Sequence, residues 1–258
     1  VRRDTAGWLT RSCADVELLD AFSGTPASPA SPVALRGLRL GVPRRFFYDD
    51  LDPTLSPVVE AALERLRQAG AELIEVDLPD MDALLGRVFS QLRRDLPHDL
   101  QVYIRESGAT VSAADIIHAV ADQQLRVGFE AALAQAADES SDRSGEDEAL
   151  AALNGAYAAY FTDNSLSALV MPTTPEPAYP TPLDVAAGGT GPVSMIRNTH
   201  PGALAGIPGL SVPAGLTAAG LPVGVEFDGP VGADSTLLRI GRAFEEITPP
   251  LPPPPSPA

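Results

Sequence analysis

Apolar residues recur along this chain in two rhythms, one of about three to four residues and one of two. Cys13, Val16, Leu19 and Phe22 step by three, the mark of a helix whose apolar stripe drifts slowly round its axis. Ser12 is placed to cap that helix, Asp15 falls in a first turn whose dipole favours an acid, and Gly24 ends it. Thr25-Pro26-Ala27-Ser28-Pro29-Ala30-Ser31-Pro32 can be neither helix nor central strand and reads as a linker.

An alternation of strand and helix follows. Leu38–Val42 is a strand, Asp52-Pro53 opens a helix that runs to Ala69 before Gly70, and Ala71–Val76 is the next strand. Short connections in a strand–helix–strand unit predict parallel strands and a right-handed crossover. Helices are expected over Met81–Glu106, Ser112–Ala137 and Ala149–Thr162, with Gly108 separating the first two. Ala168–Met171 is a short buried strand stopped by Pro172. Leu210–Ala214 and Val223–Phe227 flank a Gly-bounded loop and predict a β-hairpin, with Pro213 confining its strand to an edge or a bulge. A closing helix over Ser235–Glu246 turns Leu238, Ile240 and Phe244 inward, and a Pro-rich tail from Leu251 is expected to be disordered. The pattern is that of a single α/β domain.

Composition narrows the class of partner. The 258 residues carry a formal net charge of −16, which repels nucleic acid, and no apolar run reaches the roughly 18–20 residues needed to span a bilayer. No charged-then-apolar leader opens the chain, so a cytoplasmic location is the expectation. The lone cysteine, Cys13, excludes an internal disulfide and is expected to be a small buried hydrophobe. All eighteen basic residues are arginines, and there is no lysine.

Residue types alone yield no catalytic constellation. Gly209-Leu210-Ser211-Val212 continues into Pro213, not the glycine of a nucleophile elbow. Ser211, His200 and Asp228 make a triad on paper that spacing does not support, and His98, His118 and His200 are too scattered for zinc. Glu226 and Asp228 share a strand face, which leaves open a carboxylate pair or an exposed sheet face.

Four stretches carry more. They are Asp4-Thr5-Ala6-Gly7 with Arg11-Ser12, Asp15 and Leu18-Leu19-Asp20; Leu35–Pro43 with the strand Gly70–Val76; Ala168–Pro175; and Arg197–Gly202 running through Gly206–Gly215 to Gly220–Gly224. In order and wording they resemble the amidase-signature family, and the fourth is closest to its indoleacetamide- and mandelamide-hydrolase branch. The resemblance implies a three-layer α/β/α fold with a mixed central sheet, of which this chain holds the C-terminal part, residues 1–248. It also implies hydrolysis of a small, aromatic carboxamide to acid and ammonia, with neither metal nor cofactor.

Such an enzyme needs a nucleophile, a proton carrier and donors for the oxyanion. Family members are understood to use two serines and a lysine, with a Gly-Gly-Ser-rich loop, all in the half that precedes Asp4. No catalytic residue is therefore assigned here. The nearest string, Gly188-Gly189-Thr190-Gly191, has Thr in place of Ser, lies at the wrong end of the family order and reads as a flexible loop. The resemblance brings Thr173, Asn198 and Thr199 to the acyl side of the substrate pocket, where their amide and hydroxyls can bond a carboxamide or cap local turns. Asp4 and Thr5 would brace the nucleophile loop, and Trp8 stands where the family usually has Pro. The implied partners are an amide substrate and the N-terminal amidase half, with a homodimer open for the full-length enzyme. Two other roles compete: a non-catalytic structural or regulatory partner in a split amidase, and a transamidating subunit.

Overall fold

The computed structural model describes residues 7–23, 31–136, 146–178 and 195–252. The chain divides into two compact units, one built on Asp80–Asn154 and one on Arg3–Pro79 with Gly155–Ala258. Gly24 and residues 25–30 of the linker, Asp4 and Thr5, the 188–191 string and the last six residues lie outside the described ones.

The larger unit is built on a five-stranded mixed sheet. Its strands are β1 (Arg39–Gly41), β2 (Glu72–Ile74), β3 (Ala168–Pro172), β4 (Gly209–Leu216) and β5 (Pro222–Asp228), in the order β2-β1-β3-β5-β4. β1 runs parallel to β2, as the strand–helix–strand pattern predicts, and also to β3, while β5 is antiparallel to β3 and β4. The first two strands are shorter than expected, three residues each. The hairpin is the element the sequence marks best. Thr217 N donates to Leu221 O at 2.8 Å across its loop, and Leu221 N returns to the Thr217 hydroxyl at 3.1 Å. Pro213 sits where the edge strand β4 slips register, and Arg65 Nη2 donates to the Ala214 carbonyl at 2.7 Å inside that bulge.

Alternation divides the sheet into two faces. Leu40, Val170, Val212, Val225 and Phe227 point into one core with helices α2 (Ser56–Gln68) and α8 (Asp234–Ile247). Within α8, Leu237 is fully buried and Leu238 only partly, so the inward stripe is Leu237, Ile240 and Phe244 rather than the expected one starting at Leu238. The opposite face meets the C-terminal turns of α6 (Glu146–Asp163). There Tyr160 lies so close to β1 that a methyl group on Gly41 would stand 2.5 Å from its hydroxyl. α2 begins at Ser56, not at Pro53. Asp52 instead forms a local turn, its carboxylate accepting the Thr54 N–H at 2.7 Å while its carbonyl takes the Leu55 and Ser56 N–H groups. α1 (Cys13–Ser23) starts as expected, with the Ser12 hydroxyl accepting from Asp15 N, and Cys13 is buried. Phe22, expected in its apolar stripe, is 82% exposed.

The smaller unit is helical: α3 (Met81–Ser107), α4 (Ala113–His118), α5 (Gln123–Ala136) and the first turns of α6. Gly108 closes α3 in the left-handed region, and Ser112 with Asp115 forms a capping box at the start of α4. The helix expected over Ser112–Ala137 is two helices. Asp122 breaks it, its side chain accepting the Leu125 N–H at 2.9 Å and so capping a new helix rather than continuing the old one.

Candidate functional site

Edge strand β4 borders a cavity of about 640 Å³. Its lining combines hydroxyls from the end of β3 and from β4 with apolar groups from the N-terminal segment, β4 and α8, notably Trp8, Leu9, Val212 and Leu237. Thr173 follows β3 directly, its backbone N–H fixed on the Gly224 carbonyl at 3.2 Å. Its hydroxyl lies 2.7 Å from that of Ser211, and both line the cavity. The pair fits because residue 224 is glycine: a Cβ there would stand 2.9 Å from each hydroxyl oxygen. Two neutral hydroxyls in contact leave hydrogen-bonding capacity for a third group, such as a carboxamide.

Asn198 is fully buried, and its side chain does not cap the helix it precedes, α7 (Thr199–Ala205). Its Nδ2 donates to the carbonyls of Phe47 at 2.9 Å and Pro172 at 2.8 Å, while its Oδ1 has no partner. Arg197 reinforces the same junction, donating to the carbonyls of Phe46 and Asp49 with its guanidinium over the Phe46 ring. Phe46 is one of the few non-glycine residues at positive φ, +75°, so these bonds hold a strained turn. Thr199 donates its hydroxyl to Ile196 O at 3.2 Å, a local turn contact. Of the three residues singled out from the sequence, Thr173 lines the cavity, Asn198 ties the loop after β3 to the segment after β1, and Thr199 serves its own turn. Ser211 emerges as Thr173's partner. The sequence offered Ser211 only as the serine of a nucleophile elbow or a triad, neither of which its spacing supports.

Other readings of the polar residues resolve against catalysis by this constellation. The Ser211 hydroxyl is bonded to Thr173 rather than to an imidazole, and Asp228 is buried beside Glu226. Burial, followed by the nearby Glu245 carboxylate, pushes the Cys13 thiol up to about 12, which keeps it protonated and poorly nucleophilic. Burial also lowers the pKa of His200, favouring the neutral imidazole. Among the described residues no cluster of three or more His, Cys, Asp or Glu could hold a metal ion, and no helix is long and apolar enough to cross a membrane. Glu226 and Asp228 do form a carboxyl pair, and it is buried rather than on an exposed face. Trp8 is half exposed, its indole N–H bonded to Asp20 at 2.7 Å.

Comparison with known proteins gives this geometry its context. A family model described as Amidase matches residues 2–238. The chain is 36% identical over 257 residues to an indoleacetamide hydrolase of Rhizobium radiobacter, covering 95% of this chain and 54% of that protein. It is 31% identical over 257 residues to a mandelamide hydrolase of Pseudomonas putida, covering 95% of this chain and 50% of the relative. Among solved structures, the native peptide amidase of Stenotrophomonas maltophilia superposes with a TM-score of 0.69 at 26% identity, over 97% of this chain and 55% of that one. The chain thus spans about half the length of the relatives it matches.

Proposed function

The chain belongs to the Amidase family, and from that premise we propose that it is the pocket-bearing part of an enzyme that hydrolyses a small aryl-substituted carboxamide to carboxylic acid and ammonia. The observation that carries this reading is the Thr173–Ser211 hydroxyl pair beside an apolar, tryptophan-bearing cavity, in a chain whose relatives include hydrolases of indoleacetamide and mandelamide. Aromatic acyl groups suit such a cavity, since rings supply large apolar area and few polar contacts are needed to orient them. In this reading Thr173 and Ser211 bond the carboxamide. Asn198 holds the junction at the end of β3 that carries Thr173 to the cavity, and Thr199 starts α7 beside it, so both position the pocket rather than touch the substrate. The nucleophile and its base come from a preceding half, because a lysine base cannot come from a chain with no lysine. By itself the chain binds but does not cleave.

Trp8 is the sole tryptophan and lines the cavity. Titration with an arylacetamide is expected to change its emission saturably. Thr173→Ala is expected to weaken that binding by about threefold to tenfold, the worth of one hydrogen bond. A folded chain whose emission ignores arylacetamides would remove the pocket from this account.

A further inference from the structure

Glu226 and Asp228 lie side by side on one face of β5, opposite Ser211 and Gly209 of β4 and Met171 and Leu169 of β3. Ser211 is also half of the hydroxyl pair, so the carboxyls sit on the sheet face that leads directly to the cavity. Both are buried, at 7% and 1% exposure. Their oxygens converge: Glu226 Oε1 and Asp228 Oδ1 stand 3.0 and 2.7 Å from the point where a Cβ on Gly209 would be. From the other side, Asp228 Oδ2 is 2.5 Å from the corresponding point on Gly202. Two glycines therefore leave the room that the pair occupies. The two carboxyls thus face the same point, and Glu226 Oε2 and Asp228 Oδ2 have no hydrogen-bond partner.

Among the described residues nothing positive offsets them, and neither carboxyl forms an ion pair. α6 presents the buried Tyr157 phenol, whose hydroxyl is unpartnered and is kept un-ionised by burial and then by the charges of Asp228 and Glu226. α7 presents Gly202; its titratable residue, His200, is favoured neutral by burial. β3 presents only Leu169 and Met171, and β4 only Gly209 and Ser211. Two adjacent bare carboxylates cannot both persist away from water with no cation beside them.

We infer that Glu226 and Asp228 form a proton-binding site, a buried dyad that retains at least one proton at neutral pH and pins β5 to β4 and α7 beside the cavity. Burial is the main cause for both groups: it pushes Glu226 up to about 7 and, with the neighbouring Glu226 carboxyl, holds Asp228 well above the usual carboxylate range. The two titrate as a unit, in steps that belong to the pair. In the unfolded chain both carboxyls titrate near about pH 4. Between that range and the folded values the native state binds more protons, so the dyad's contribution is complete below about pH 4 and is lost as pH rises through about 7.

The test follows denaturation midpoints of the whole chain, Glu226→Gln and Asp228→Asn from about pH 4 to about pH 8. The unaltered chain is expected to lose stability across that window. Glu226→Gln, which keeps a hydrogen-bonding group without the ionisation, is expected to lose distinctly less and to overtake it above about pH 7. Infrared spectra of the unaltered chain provide a measurement that does not depend on a variant folding. A protonated-carboxyl band is expected to persist at neutral pH and to shrink in either variant that folds. Absence of that band from the folded chain at neutral pH, or a Glu226→Gln profile parallel to that of the unaltered chain, overturns the inference.

Discussion

Replacing Asn198 with aspartate destabilises the chain by on the order of 4 kcal/mol at neutral pH, and most of that loss is recovered in acid. Asn198 is fully buried, and its amide nitrogen serves two carbonyl acceptors, Phe47 O and Pro172 O. Aspartate has the same shape but, when ionised, no proton to give. Both carbonyls lose their donor and face a negative charge in a site water does not reach. The introduced carboxyl responds by holding its proton, so its folded pKa rises above the unfolded value. Its protonated form can donate to one of the two carbonyls. Stability is therefore best preserved below the usual carboxylate range and falls as pH rises through the raised folded value. Chemical denaturation of Asn198→Asp at about pH 4 and about pH 7 measures both halves of the expectation. Equal losses at the two pH values would mean that the side chain packs without bonding.

Phe227→Ala is expected to cost about 3–5 kcal/mol, enough to unfold much of a marginally stable chain. Phe227 sits on β5 between the two carboxyls but points to the other face. It is fully buried there, edge-on to Phe244 of α8 with ring centroids 5.6 Å apart. Truncation leaves a ring-sized void between a central strand and the helix that covers it, and backbone on both sides limits collapse. The loss is expected to be nearly independent of pH, unlike that of Glu226→Gln one residue away. That contrast separates the apolar face of β5 from its proton-holding face. Thermal and denaturant unfolding across pH would show it.

Local chemistry made part of this fold legible in the sequence. Glycines and prolines bracket the β4–β5 hairpin, and Pro213 announces an irregular edge strand because it cannot donate to a ladder. The β1–α2–β2 unit follows from period and connection length. Errors arose where two local signals competed. Asp52-Pro53 has the letters of a helix start, yet Asp52 spends its carboxylate on Thr54 and the helix waits for Ser56. Asp122 looks like any acid inside a helical run until it caps one. The site was legible only in outline. Period two put Glu226 and Asp228 on one face, but their burial depends on Gly202 and Gly209 and on groups such as Tyr157, far away in sequence. Thr173 was identifiable through its family-like loop; its contact with Ser211 required β3 and β4 to flank β5.

The central claim is that this chain carries a substrate pocket and not the cleaving group. Ammonia release from a panel of arylacetamides tests it, comparing the purified chain alone with the chain mixed with the N-terminal half of a related amidase. The account predicts no release by either part and release on mixing. Ammonia from the chain alone, blocked by a serine-directed inhibitor, would contradict it.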